Sequence, residues 1–212
     1  MGTLCLVDTR FSFTVSAWVN LSDASSYRRV LSQTGSDNSN FSLYYSSGVQ
    51  RWVFLRSWYE NGVRESEGAN ATATGVPLNT WVHVAGSYDA EKQEVRLYVN
   101  GRPQGASVAL SSTSDATVAG SALQVGRVAF TSGDTYQNYM SGRVDEMAVW
   151  QRLLTDDDVA TEAQLLDENN SAYATARSRP RRADRHPAAP VAGLRAQHFP
   201  QRLPGDPSAA SL

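Results

Sequence analysis

TWVHVAGSYDAEKQEVRLYVNGRPQGA, residues 80–106, holds three alternating runs and two reversals in under thirty residues. Trp81, His83, Ala85 and Ser87 share one face of the first run, and Val82, Val84 and Tyr88 share the other. The polar stretch 89–93 breaks that run. Val95, Leu97 and Val99 then alternate with Arg96 and Tyr98. A period of two with polar interruptions marks antiparallel strands. Asn100-Gly101 is a strong hairpin signal, since both residues tolerate the positive φ of a two-residue type I′ turn. The stretch is therefore a β-meander. Its register is well specified, because a slip of one residue would turn Val95, Leu97 and Val99 to the wrong face.

The same period extends outward. Phe11, Phe13, Val15, Ala17, Val19 and Leu21 share a face of one run. Further strands are predicted over 28–34, 40–46, 50–56, near 69–74, over 123–130 and over 139–152. Ser, Asn, Asp and Gly clusters between them, such as 33–40, read as loops. Many short strands without intervening helices predict an all-β sandwich or jelly roll of antiparallel sheets. One short helix is expected near 156–167. Thr155 would be its N-cap, acidic residues fill its first turn, and Val159, Ala163 and Leu166 fall at helical spacing. From about residue 171 the pattern fails and the chain turns rich in Arg, Pro and Ala, which predicts a disordered tail. The expected organisation is one domain over 1–170 and a tail over 171–212.

Hydrophobic residues make up 41% of the 212, enough for a core over most of the length. The net charge of −2 is unevenly spread. Seven arginines and two acidic residues give 177–212 a charge of about +5, and the 12 basic and 19 acidic residues before them leave about −7. A mildly acidic globular part argues against a nucleic-acid surface, which needs clustered positive charge. Cys5 is the only cysteine, so neither an intrachain disulfide nor a cysteine-based zinc site can form. No apolar stretch reaches the length of a membrane span. The N-terminus lacks the charged-then-apolar plan of a signal peptide, so the residues alone give a cytoplasmic reading.

Four fragments occur in order: Phe13-Thr-Val-Ser-Ala-Trp-Val19, Trp81-Val-His-Val-Ala85 with Tyr88-Asp89, Leu97-Tyr-Val-Asn-Gly101, and Gly142-Arg-Val-Asp-Glu-Met-Ala-Val-Trp150. Together, over roughly 8–165, they resemble the laminin-G-like jelly-roll domains of bacterial secreted proteins, within the concanavalin A-like lectin/glucanase superfamily. The resemblance implies two stacked antiparallel sheets, one of them concave. It also implies extracellular or cell-surface work as a binding or adhesive module. Such domains usually open with one more strand ahead of the Phe-Thr-Val-Ser-Ala-Trp segment. Only about ten residues precede Phe11, so that strand is expected to be missing and the chain to be a fragment or to carry a misassigned start.

Candidate chemistry is sparse. Asp89-x-Glu91-x-x-Glu94 is the nearest approach to the Glu-x-Asp-x-x-Glu series of laminarinase-like relatives. Retaining glycosidases need two carboxylates about 5 Å apart, but the first two here fall in a predicted turn and the order of residue types differs. A solvated hairpin turn is the better account. Asp145-Glu146 interrupts an apolar strand, so at least one carboxylate is expected to point inward and to need a partner. That partner is an arginine, backbone amides or a calcium ion. For calcium, Asp37, Asn38 and Asn40 form an oxygen-rich loop to set beside Asp145. His83 has no second histidine near it and is expected to be a hydrogen-bonded strand residue. The aromatics Trp58, Tyr59, Tyr44 and Tyr136 are candidates for stacking on a ligand, whereas Trp18, Trp52, Trp81 and Trp150 read as core. The function expected is a non-catalytic binding or adhesion module that recognises a glycan or an extracellular protein. A glycoside hydrolase or lyase of the same superfamily, or a purely structural spacer, are the alternatives.

Overall fold

A computed structural model describes residues 7–34, 39–61, 63–112, 122–129 and 136–167; the predicted tail lies outside them. Thirteen strands and one helix follow in chain order. The first seven strands are β1 (Phe13–Leu21), β2 (Arg28–Thr34), β3 (Ser39–Ser46), β4 (Arg51–Glu60), β5 (Val63–Asn70), β6 (Trp81–Asp89) and β7 (Glu94–Val99). Then come β8 (Arg102–Pro103), β9 (Val108–Ala109), β10 (Leu123–Val125), β11 (Val128–Ala129), β12 (Tyr136–Gln137), β13 (Gly142–Trp150) and α1 (Asp156–Asp167). One sheet runs β13-β1-β6-β7-β8, with β9 also on β7, and the other runs β10-β2-β3-β4-β5. Every pairing is antiparallel. The predicted two-sheet sandwich with one short helix is the fold observed.

Alternation builds the core between the sheets. Phe13, Val15, Ala17, Val19 and Leu21 of β1 point inward with Val82, Val84 and Tyr88 of β6 and Val95 and Leu97 of β7. The five-stranded sheet answers with Leu31, Phe41, Leu43, Tyr45, Trp52, Phe54, Trp58 and Ala69. Phe13 sits at the centre, 5.1 Å from Phe41 and 5.8 Å from Tyr88 between ring centroids. Gly86 belongs to this packing: a Cβ there would lie 2.2 Å from the Phe54 ring. Phe11, predicted to extend the inward row, stands ahead of β1 with 60% of its surface exposed.

The opening stretch folds as read. Asn100 (φ 49°) and Gly101 (φ 72°) make the tight turn between β7 and β8. Gly101 serves a second purpose, because a Cβ there would come within 2.8 Å of Ala163 on α1. That helix lies on the outer face of the six-stranded sheet, where Leu154 and Val159 pack with Ala85, Tyr98 and Trp150. Its start is capped from both sides: the Asp158 amide donates to Thr155 Oγ1, and the Thr155 amide donates to Asp158 Oδ2, each at 3.1 Å. Tyr98 and Arg96 anchor the first turn through Asp156. All nine residues of β1 are buried in consequence, inward ones by the core and outward ones beneath other structure.

Two predicted strands were placed differently. The run 123–130 divides into β10 and β11 at Gly126, whose φ of 70° reverses the chain. The strand predicted near 69–74 lies earlier, as β5, because β4 continues to Glu60 and the Asn61 turn (φ 52°) sends the chain straight back along it.

Candidate functional site

Alternation gives the five-stranded sheet an outer face of a different kind from its core face. Asn40, Ser42 and Tyr44 of β3 point outward, opposite to Phe41, Leu43 and Tyr45. Ser42 lies in a cross-strand row with Ser32 of β2, Gln124 of β10 and Leu55 of β4. Ser57 and Arg51 occupy outward positions further along β4. The floor thus mixes small polar side chains with Val53 and Leu55.

Three atoms of this floor are unusual. Asn40 and Ser42 are each only 1% exposed, yet Asn40 Nδ2, Asn40 Oδ1 and Ser42 Oγ have no hydrogen-bond partner among the described residues. A buried polar group left unpaired costs about 1–3 kcal/mol, so native folds keep few of them. Ser32, by contrast, is satisfied by donating to the Arg127 carbonyl at 2.9 Å.

One end of the face carries aromatic rings and guanidinium groups. Arg29 lies over the Tyr44 ring at 3.8 Å, and Tyr27 approaches the same ring at 6.2 Å between centroids. Gly48 lacks the side chain that would meet the Tyr27 hydroxyl at 2.8 Å. The β11–β12 hairpin brings a second such pair, Arg127 over Tyr136 at 3.6 Å, with Arg127 Nε donating to Gln124. The hairpin region is tied to β2 by the Arg29 amide on the Asn138 carbonyl and the Gly126 amide on the Val30 carbonyl, each at 2.9 Å. Tyr27 and Tyr139 stand exposed at the rim. Arg28 joins them, donating to the Tyr139 carbonyl and pairing with Asp23. That pairing holds the Asp23 carboxyl below its ordinary range, chiefly through the hydrogen bond from Arg28.

Tyr44 and Tyr136, two of the four aromatic candidates, therefore share a face. Trp58 is a correction. It lies among the core residues at 3% exposure and has no ring face to offer a ligand. The cause is the length of β4, whose alternation runs on from Trp52 and Phe54 through residue 58. Tyr59 is the next residue of that strand, and its side chain lies outside the described residues. The residues missed from the sequence are Tyr27, Arg29 and Arg127. Only their long-range partners mark them, and no local motif does.

The calcium grouping is also corrected. Asp37 and Asn38 lie outside the described residues. Asn40 faces outward from one sheet and Asp145 from the other, with the core between them. Among the described residues, no three His, Cys, Asp or Glu side chains gather in a metal-binding group. The inward carboxylate expected at Asp145-Glu146 does not occur. A β-bulge sets Glu146 (φ 44°) and Met147 against Ala17 alone, and both carboxylates are exposed.

The series Asp89, Glu91 and Glu94 forms the β6–β7 turn. Asp89 Oδ1 accepts the amides of Glu91 and Lys92 at 3.0 and 3.1 Å, Glu91 is exposed, and Glu94 accepts the Ser107 hydroxyl at 2.6 Å. Asp89 thus organises the backbone of the hairpin, and Glu94 ties it to Ser107. His83 is buried against Trp18 on the outer face of the six-stranded sheet, with ring centroids 5.5 Å apart. Its Nδ1, expected to be hydrogen-bonded, has no partner among the described residues. Burial pushes its pKa down to about 4, so it is neutral near pH 7.

Comparison with known proteins supports the architecture. The binding domain of botulinum neurotoxin DC in complex with rat synaptotagmin II superposes with a TM-score of 0.51 at 14% identity, covering 76% of this chain and 37% of that one. The carbohydrate-binding module CBM40 of a Ruminococcus gnavus sialidase, bound to α2,6-sialyllactose, gives 0.57 at 17%, covering 71% and 82%. A pentraxin of Limulus polyphemus gives 0.55 at 18%, covering 72% and 69%. No curated protein matched in sequence. At these identities the likeness speaks for the fold. A laminin G family model does match, over residues 4–160. With that match and the two-sheet sandwich, this chain belongs to the laminin G family of the concanavalin A-like lectin/glucanases superfamily.

Proposed function

We infer that this domain is a non-catalytic glycan-binding module, and that the outer face of its five-stranded sheet is the binding surface. One observation carries the reading: Asn40 and Ser42 hold three buried polar atoms without partners in the middle of that face. Sugar hydroxyls both donate and accept, and would satisfy an amide and a hydroxyl together once the residues that cover Asn40 and Ser42, each 1% exposed, move aside. Tyr44 lies on the same strand face one alternation further on, buried beneath the Arg29 guanidinium, and the exposed ring of Tyr27 beside it is the one that can stack against a pyranose. Two further facts support it. The outward carboxylates of the sequence serve a turn at Asp89–Glu94, and a structurally similar module is named as bound to sialyllactose. A secreted or cell-surface setting belongs to the same proposal and rests on family membership.

A glycan array probed with the full chain tests the reading. Retention of at least one glycan class is expected, with Tyr44→Ala and a Ser42→Ala/Asn40→Leu double variant losing about ten-fold or more in affinity. Retention unchanged in both variants would move the site elsewhere. Turnover of β-glucans that disappears in Glu94→Gln would replace binding with catalysis.

A further inference from the structure

Among the described residues the charges on this face are of one sign, and that points to the class of glycan. The side chains described there that carry charge are Arg29 on β2, Arg51 on β4 and Arg127, laid over from the hairpin. The acidic residues of the same strands, Glu60 on β4 and Glu65 and Glu67 on β5, alternate to the opposite side, in register with or in phase with Trp58 and Arg56. Glu67 is engaged there, accepting the Ser111 amide at 2.6 Å. At the rim the one carboxylate beside the cluster, Asp23, is already paired with Arg28.

Resting on the glycan reading, we propose that the ligand carries an anionic group, a carboxylate or a sulfate, held by the arginines at the Tyr44–Tyr136 end of the face. Arg127 is the residue best placed to take it. Its guanidinium lies over the Tyr136 ring at 3.6 Å and is only half-buried, with Nε donating to Gln124, and no described carboxylate pairs with it. Stacking and the Gln124 bond fix the plane of the fork, so little freedom is lost when its remaining N–H groups meet a planar anion. Arg51, which donates to the Ala71 carbonyl, adds to the positive potential beside it. An acidic sugar sets its charge against Arg127 and its ring against the exposed Tyr27 at the rim.

Matched ligand pairs test the proposal. Affinity electrophoresis compares polygalacturonate with its methyl ester, and titration compares α2,6-sialyllactose with lactose. Chondroitin sulfate against desulfated chondroitin separates sulfate from carboxylate. At about 50 mM NaCl the acidic member of at least one pair is expected to bind about ten-fold tighter, as one hydrogen-bonded charge pair implies. That preference should shrink in Arg127→Gln and with added salt. Neutral and acidic members bound equally well would overturn the anionic class and leave the glycan site standing. A folded chain that retains none of the glycans would overturn both.

Discussion

At the scale of single residues, the sandwich is decided by which side chains fit in a pleat and which polar atoms find partners. Gly86 shows the first. Gly86→Ala would drive a methyl group into the Phe54 ring, and the overpacking should destabilise the domain by about 2 kcal/mol in urea titration. The cost should be largely relieved when Phe54→Leu is added, because the two positions share one space. Ser42 shows the second. Ser42→Ala removes an unsatisfied buried hydroxyl and should leave the melting temperature unchanged or raised, by up to about 1 kcal/mol of stability, while weakening glycan binding. A purely structural Ser42 would show the opposite trade. His83 gives a pH dependence. Its folded pKa of about 4 lies below the ordinary 6.5, so the unfolded chain binds the proton more readily. Stability is then complete above about pH 6.5 and falls as pH drops toward 4, by about 2 kcal/mol between pH 7.5 and 5. The urea midpoint of His83→Phe should change less over that interval; equal slopes in both proteins would contradict the assignment.

Elements add what local pattern cannot show. Helix α1 was legible in full, since Thr155, the acidic first turn and the apolar spacing are all contiguous. Thr155→Ala should lower stability by about 1 kcal/mol by unseating the reciprocal cap. Calorimetry of the pair Thr155→Ala and Asp158→Ala, with a double variant that costs less than the sum, would confirm that the two side chains act together. The hairpin at Asn100-Gly101 was equally legible, because positive φ at two adjacent residues leaves a clear mark in sequence. The bulge in β13 was not. It exists because two residues of β13 face Ala17 on β1, and nothing near residue 146 announces that mismatch. The reading of Asp145-Glu146 as a buried carboxylate failed for this reason. Trp58 failed for another: its phase with Trp52 and Phe54 was present in the sequence, but a loop was assumed where β4 in fact continues.

For the molecule as a whole, the two sheets divide the work. The six-stranded sheet has the core within and α1 over part of its outer face, and its Asp89 and Glu94 carboxylates are engaged at the β6–β7 hairpin. The five-stranded sheet offers the second face, with a polar floor, two ring-and-guanidinium pairs and no described carboxylate. The fold and its family were legible from ordered fragments along one strand each. Two side chains of the proposed site, Tyr44 and Tyr136, were named from the sequence as well. The arginines that complete it were not, because Arg29 and Arg127 acquire their roles only when β2 and the β11–β12 hairpin meet. The most direct measurement is an amide chemical-shift map of the full chain titrated with the best-retained oligosaccharide. Perturbations centred on Ser32, Asn40, Ser42, Tyr44 and Gln124 are expected. A map centred on the Asp89–Glu94 turn, or on the face that carries α1, would contradict the claim that the polar sheet face is where this domain meets its ligand.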